Sequence, residues 1–200
     1  IGTNISLDVK NFQTLELFIS KNKINMLIIG PENIIVDGIY DYMKTKFDDL
    51  IIIAPSKKAS LLEGSKSYAK KFMQKHNIPT ANYSSFKKGE FQDAVNYLQT
   101  TLPPYVLKAD GLAGGKGVVI VDSVLEAKKE LKKMLIENKF GKASNEVLIE
   151  DFMTGTELSV FVLTNGKSYK ILPVAKDYKR IGEGDVGLNT GGMGSVSPVP

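Results

Sequence analysis

Lys108-Ala-Asp-Gly-Leu-Ala-Gly-Gly-Lys-Gly117 stands between two apolar runs, Tyr105-Val-Leu107 before it and Val118-Val-Ile-Val121 after it. Both runs read as short buried strands, so the glycines belong to a loop that joins strand to strand. Glycine lets backbone N–H groups come close to phosphate oxygens, and lysine adds a mobile point charge. The stretch therefore predicts a nucleotide triphosphate held under a flexible β-hairpin lid, with a plain glycine-rich hairpin as the competing reading. Two familiar phosphate motifs are excluded. A P-loop requires Gly where Asp110 stands and Ser or Thr where Gly117 stands. Gly182-Glu-Gly-Asp-Val-Gly187 has dinucleotide-fingerprint spacing, but it carries two acidic residues, and Gly191, Gly192, Gly194 and Pro198 after it exclude the helix such a motif needs.

Outward from this loop the chain alternates strands and helices. Phe12, Leu15, Phe18 and Ile19 recur at helical spacing, and Met26-Leu-Ile-Ile29 reads as a buried strand. Ile34, Ile35, Ile39, Tyr42 and Met43 mark one further amphipathic helix, and Leu50-Ile-Ile-Ile53 the next strand. This order predicts an open parallel α/β sheet, whose ligands gather at the carboxyl ends of the strands. Gly30-Pro31-Glu32 would lie there, with Glu32 either accepting hydrogen bonds from sugar hydroxyls or complementing the positive end of its helix. Ser56 to His76 reads as helical with Tyr68, Ala69, Phe72 and Met73 inward, stopped by Asn77 and Pro79. His76, the only histidine, reads as structural at the last turn. Ser123-Val-Leu-Glu126 is a capping box for a helix whose inner face is Val124, Ala127, Leu131, Met134 and Leu135. Lys128, Lys129, Lys132 and Lys133 form its solvated side. Glu146 to Phe152 reads as a strand, alternation resumes over Leu158–Leu163, and Asn165-Gly166 turns the chain into Tyr169-Lys-Ile-Leu172. The expectation is a β-loop-β-α-β unit over 105–152 followed by a mixed sheet.

Composition narrows the function. With 200 residues, 42% of them apolar, the chain can hold one or two domains with a real core. A net charge of +4 without a basic run suits small anionic substrates and not nucleic acid. There is no cysteine, which removes thiol nucleophiles and thiolate metal sites. No apolar stretch is long enough to span a bilayer and no signal peptide opens the chain, so the expectation is a cytoplasmic protein with no membrane partner. The start at Ile1, without Met, reads as a piece cut from a longer chain.

A phosphate-covering hairpin, a helix, a strand ending acidic-acidic-aromatic and a mixed sheet resemble the ATP-grasp ligases. Three segments bring the resemblance to one family among them, the phosphoribosylamine–glycine ligases of purine biosynthesis: Leu62-Glu-Gly-Ser-Lys66, Leu107–Gly117, and Asp177-Tyr-Lys-Arg-Ile-Gly-Glu-Gly-Asp-Val-Gly-Leu-Asn-Thr-Gly-Gly-Met-Gly194. The family usually carries Ala where this chain has Gly114, Glu for Asp151, His for Tyr178 and Thr for Val186, and an acidic-Pro-Leu run in place of Asn33-Ile-Ile35.

The resemblance implies an α/β protein in two parts. Residues 1–62 would be the remainder of a partial open parallel α/β N-terminal domain. Residues 63–200 would be an ATP-grasp domain (α+β, with a β-hairpin lid over the nucleotide) truncated at its C-terminal end, its small lobe at about 105–152. It implies an ATP-dependent carbon–nitrogen ligase joining glycine to 5-phosphoribosylamine through a glycyl phosphate. Lys66 and Lys108 would reach the phosphates and the adenine edge, and Gly114, Gly115, Lys116 and Gly117 would cover the phosphates. Glu150 and the backbone near Phe152 would read adenine, and Glu157 would hold the ribose. Asp177, Lys179, Arg180, Asp185, Asn189, Thr190, Gly191 and Gly192 would form a loop on the acceptor side, the last four as an anion nest. Magnesium or manganese would accompany ATP, with ligands beyond Pro200. A monomer is expected, with fusion to other purine enzymes as an option. The alternatives are another ATP-grasp carboxylate–amine ligase or carboxylase of purine metabolism, and a nucleotide-binding fragment inactive by itself.

Overall fold

The computed structural model describes residues 2–184 and 186–199, with Leu188 and Asn189 described by their backbone alone. They fall into two compact units, one running to Thr80 and including Asp110–Leu112, the other made of Ala81–Ala109 and the chain from Ala113 onward.

In the first unit, Asn11 caps helix α1 (Phe12–Lys21) by accepting the Thr14 N–H at 3.1 Å, and Leu15 and Ile19 are its buried residues. Strands β1 (Met26–Ile28) and β2 (Ile51–Ile53) pair in parallel, Met26 opposite Ile51, as the alternation of elements predicts. Their side chains alternate between faces. Leu27 and Ile52 pack against Leu15, Ile19, Ile39, Met43 and Leu50, whereas Met26, Ile28, Ile51 and Ile53 are exposed. The expectation of strands buried on both sides is thus corrected, because this unit's apolar core covers one face of the pair.

The single helix read from Ile34 to Met43 is two, α2 (Glu32–Asp37) and α3 (Ile39–Lys44), separated by Gly38 in a left-handed conformation with φ 101°. Glycine adopts this geometry without the Cβ penalty, and it ends the first helix. The stretch from Ser56 to His76 is likewise interrupted. Helix α4 (Leu61–Gly64) stops at Ser65, which turns extended to cap helix α5 (Lys66–Lys75) by accepting the Tyr68 N–H. Gly64 lies so close to Val36 that an added Cβ would stand 2.9 Å from a Val36 methyl carbon. The buried residues of α5 are Ser67 and Lys70, and the expected inward set Tyr68, Ala69, Phe72 and Met73 is only half-buried. Hydrogen bonds explain the shift, since Ser67 N–H donates to Asp110 and Lys70 Nζ to the Thr80 hydroxyl at 2.8 Å. His76 is the C-cap, at the end where it was expected.

The second unit is built on a four-stranded antiparallel sheet. Its strands are β3 (Tyr83–Lys87), β4 (Tyr105–Ala109), β5 (Val118–Val121) and β6 (Glu146–Glu150), in the order β3-β6-β4-β5. Helices α6 (Phe91–Leu98) and α7 (Val124–Leu135) supply Ala94, Val95, Leu98, Ala127, Leu131, Met134 and Leu135 to a core completed by Leu107, Ala109, Val147 and Ile149. Ser123 caps α7 through the Glu126 N–H at 3.2 Å, as its capping-box sequence predicts, while Val124 is exposed. The β-loop-β-α-β unit over β4, β5, α7 and β6 is the one expected. As an edge strand, β5 is partly exposed, unlike the buried strand its composition suggested. Strand β6 ends at Glu150, two residues before Phe152.

Beyond Glu150 the expected mixed sheet is replaced, among the described residues, by two separate antiparallel ribbons. One pairs β7 (Val162–Thr164) with β8 (Tyr169–Ile171) across the Asn165-Gly166 turn. The other pairs β9 (Lys176–Gly182) with β10 (Val186–Val196). Leu158, Val160, Phe161, Val162 and Leu163 are all exposed, so alternation there does not correspond to a buried face.

Candidate functional site

Strand register places the first pair of candidate residues. Tyr105, Leu107, Ala109, Val147 and Ile149 face the helices, so Val106, Lys108, Leu148 and Glu150 share the opposite face of the sheet. Val106 is opposite Glu150 and Lys108 opposite Leu148, which sets Lys108 diagonal to Glu150. The Lys108 ammonium donates to the Glu150 carboxylate at 2.8 Å; the side chains are 28% and 4% exposed. Just past this pair, Asn82 Nδ2 donates to the Asp151 carboxylate at 2.7 Å and Asp151 N–H to Asn82 carbonyl, fixing the exit of β6. Phe152 lies outside regular structure and is exposed.

The loop of the β4–β5 hairpin has a tight tip. Lys116 N–H donates to the Ala113 carbonyl at 3.0 Å, and the two residues between, Gly114 and Gly115, have φ of 57° and 75°. Positive φ at both central positions is the mark of a primed hairpin turn and accounts for two successive glycines. Gly117 is needed for another reason. It is buried on the return leg, and a Cβ there would stand 2.8 Å from the Ala113 Cβ and 3.4 Å from that of Ala109. Gly114, Gly115 and Lys116 are exposed. The tip approaches the β9–β10 ribbon, since a Cβ on Gly115 would lie 3.8 Å from the Thr190 carbonyl oxygen.

The segment 177–194, expected as a loop, is a ribbon with an irregular register. Asn189 pairs with Arg180 and Gly194 with Tyr178, leaving Thr190–Met193 in a bulge on β10. Bulges re-aim side chains and free backbone groups from the ladder. Within this one, Thr190 Oγ1 donates to the Lys179 carbonyl at 2.9 Å and accepts the Gly192 N–H at 3.0 Å. The Gly192 N–H expected in an anion nest is thus engaged internally. Lys179 donates to the Glu157 carboxylate and lies 3.4 Å from Asp177, so residues expected in separate tasks form one ion cluster. The hydrogen bond that Lys179 donates to Glu157, reinforced by the charges of Glu157 and Asp177, holds its ammonium above the ordinary lysine range. Arg180 is exposed on β9. Asp185 lies outside the described residues, and Asn189 is placed by its backbone only.

In the first unit, Lys66 opens α5 and its ammonium donates to the carbonyls of Asp110 and Gly111 at 3.4 and 3.3 Å. Glu32 is exposed in the first turn of α2, just past the carboxyl end of β1. Asp110 was missing from the sequence-based set although it sits inside the glycine-rich loop. The signal that could have found it is an acid in an otherwise cationic glycine-rich loop. Among the described residues no group of three or more His, Asp or Glu side chains is placed to hold a metal ion.

The family model for the phosphoribosylglycinamide synthetase N domain matches residues 1–63, and the model for the ATP-grasp (A) domain of the same synthetase matches residues 64–200. The chain belongs to the phosphoribosylglycinamide synthetase family. It is 42% identical over 197 residues to the phosphoribosylamine–glycine ligase of Pasteurella multocida, covering 98% of this chain and 45% of that protein. It is 43% identical over 202 residues to a bifunctional purine biosynthetic protein of Saccharomyces cerevisiae, covering 25% of it. The chain therefore spans less than half the length of the curated relatives it matches. The crystal structure of phosphoribosylamine–glycine ligase from Thermotoga maritima superposes with a TM-score of 0.68 at 43% identity, covering 74% of this chain and 38% of that one. At 17% identity, the D-alanine–D-alanine ligase of Bacillus anthracis shares the fold, with a TM-score of 0.60 over 98% of this chain. The four-stranded sheet and the β4–β5 hairpin of this chain fit a partial ATP-grasp domain, as the sequence predicted.

Proposed function

We propose that this chain is the nucleotide-binding part of an ATP-dependent ligase that joins glycine to 5-phosphoribosylamine, yielding glycinamide ribonucleotide, ADP and phosphate. The observation that carries the reading is the approach of the Gly114-Gly115 tip to Thr190, which brings the predicted phosphate lid to the predicted acceptor segment. The names of its relatives support the substrates. We read residues 1–62 as the N-terminal domain and 63–200 as the ATP-grasp domain, with its small lobe at about 105–152.

In the first step a glycine carboxylate oxygen attacks the γ-phosphorus, and the bond to the ADP oxygen breaks to leave an acyl phosphate. In the second, the amine of phosphoribosylamine attacks the acyl carbon, phosphate departs and the amine gives up a proton. Neither step needs a protein nucleophile, which fits a chain without cysteine. Positioning and charge neutralisation provide the catalysis. Lys66, Lys108, Lys116 and the N–H groups of Gly114, Gly115 and Gly117 serve the phosphates. Glu150 and the backbone at Phe152 read adenine, and Glu157 holds the ribose. Lys179 and Arg180 balance the charge of the phosphoryl group in flight; Asp177 and Asp185 hold an amine. Asn189, Thr190, Gly191 and Gly192 border the reacting carboxylate, and Glu32 serves a sugar hydroxyl. Magnesium or manganese bound with ATP would supply further charge neutralisation.

We place the protein in the cytoplasm as a monomer, with fusion to a second purine enzyme as an option, the Saccharomyces cerevisiae relative being a bifunctional purine biosynthetic protein. In the described residues, no helix is long and apolar enough to cross a membrane. The test is phosphate release by a full-length protein carrying this chain, with ATP, magnesium and phosphoribosylamine, with and without glycine. Release that requires glycine is the expected result. Arg180→Ala should cut turnover far more than ATP affinity, and unchanged turnover removes that role from Arg180.

A further inference from the structure

The glycine-rich loop has two differently supported legs. Its tip at Gly114–Lys116 is exposed, and no heavy atom stands within 4 Å of a Cβ added at Gly114. Its first leg, Asp110–Leu112, belongs to the first unit and is held by the start of α5. The Asp110 carboxylate accepts the Ser67 N–H at 2.7 Å and the Ser65 hydroxyl at 3.1 Å, and its carbonyl accepts the Lys66 N–H at 3.1 Å. The amides of Lys66 and Ser67 belong to the first turn of a helix, where no carbonyl of the helix itself can accept them. An aspartate at that place satisfies one such donor with a charge-assisted hydrogen bond and also complements the helix dipole. The carbonyls of Asp110 and Gly111 also accept from the Lys66 ammonium, at 3.4 and 3.3 Å.

We propose that Asp110 is a positioning residue of the nucleotide site: it anchors the first leg of the lid on α5 and, through its own carbonyl and that of Gly111, aims Lys66. This rests on the reading of Lys66 and the loop as ATP-phosphate groups. Asp110 does not touch the nucleotide in this scheme. Its carboxylate oxygen is turned to the start of α5, where it accepts from the Ser65 hydroxyl and the Ser67 N–H. An acid inside a phosphate loop is explained by that division of labour.

Two readouts test the anchor without nucleotide, in the full-length protein. The Ser67 amide should exchange with deuterium at least about a hundredfold slower than an unstructured amide, because its acceptor is Asp110 alone in this geometry. Trypsin cleavage after Lys116 should be about tenfold faster in Asp110→Ala than in wild type, while cleavage after Lys139, far along the chain, is unchanged. An unprotected Ser67 amide in wild type overturns the anchor even if Asp110→Ala fails to fold. So does equal cleavage after Lys116 in a folded Asp110→Ala protein. The third readout is kinetic. Asp110→Ala should raise KM for ATP about tenfold with little change in kcat, and Asp110→Asn, which keeps an acceptor for Ser67, should recover most of that loss. A merely destabilising change would lower active enzyme and leave KM as it was. If the wild type shows no ATP dependence at all, the proposed function falls and the lid role with it, whatever the Ser67 amide does.

Discussion

Replacing Lys108 by Met removes the ammonium that stands 2.8 Å from the Glu150 carboxylate on the face of the sheet away from the helices. The size of the effect follows from the geometry. At that distance and an effective dielectric of about 20, the gross attraction is roughly 6 kcal/mol. Most of it offsets the several kcal/mol needed to take a carboxylate out of water. Glu150 carries nearly all of that cost, with its side chain 4% exposed against 28% for Lys108. The residual coupling should be about 1–3 kcal/mol, above the ~0.2–1 kcal/mol of an exposed pair and below that of a fully buried one. Lys108→Met alone should therefore cost about 2 kcal/mol, Glu150→Gln somewhat less, and the double variant less than the two together. Urea unfolding followed by circular dichroism measures this directly. With a slope of about 2 kcal/mol per molar urea, the Lys108→Met midpoint should fall by about 1 M. Effects of the two single variants that simply add, with coupling under about 0.3 kcal/mol, would refute the claim that the two side chains form a desolvated pair.

The glycines of the proposed lid should separate by position. Gly117→Ala should raise KM for ATP well beyond Gly114→Ala, because its Cβ would meet two short alanine side chains at 2.8 and 3.4 Å, whereas at Gly114 only the positive φ is penalised; steady-state kinetics decide, and equal effects contradict the packed return leg. Leu131→Ala, at a fully buried position of α7, should lower stability by about 2–5 kcal/mol in thermal or urea unfolding, with a loss under 1 kcal/mol arguing against the helix-on-sheet core. Glu130 bonds Lys133 and Lys139 at 2.6 and 2.8 Å, and the bond from Lys133 foremost draws its carboxyl below the usual glutamate value of 4.5. A carboxyl depressed in the folded state stabilises above its unfolded value and loses that contribution as pH falls through the folded one. Stability should thus fall by about 0.5–1 kcal/mol below pH 4.5 through this group, and Glu130→Gln should remove that part of the acid slope in unfolding curves taken between pH 3 and 6.

Local chemistry accounts for much of what was legible in the chain. The apolar runs on either side of Lys108–Gly117 could only be strands flanking a turn, and the twin glycines at 114 and 115 supply the two positive φ values that turn uses. Ser123 with its period of apolar residues made α7, and Asn165-Gly166 made its hairpin, by interactions that span only a few residues. The spacing of Phe91, Ala94, Val95 and Leu98 encodes helix α6 by the same short-range rule.

Other features have no short-range signature. Whether a strand is covered on one face or two depends on distant layers, so Met26, Ile28, Ile51 and Ile53 looked like core and are exposed. Segment 177–194 is rich in glycine and charge and reads as a loop, yet pairing across β9 and β10 makes it a bulged ribbon. The joining of Glu157 to Lys179, of Lys108 to Glu150 and of Asp110 to the start of α5 brings together residues 22, 42 and more than 40 positions apart. Residue type and spacing sufficed to name the groups that carry charge in this chain. Which of them neutralise one another was decided by strand register and helix ends, because electrostatic pairing acts over a few ångströms of space and takes no account of distance along the sequence.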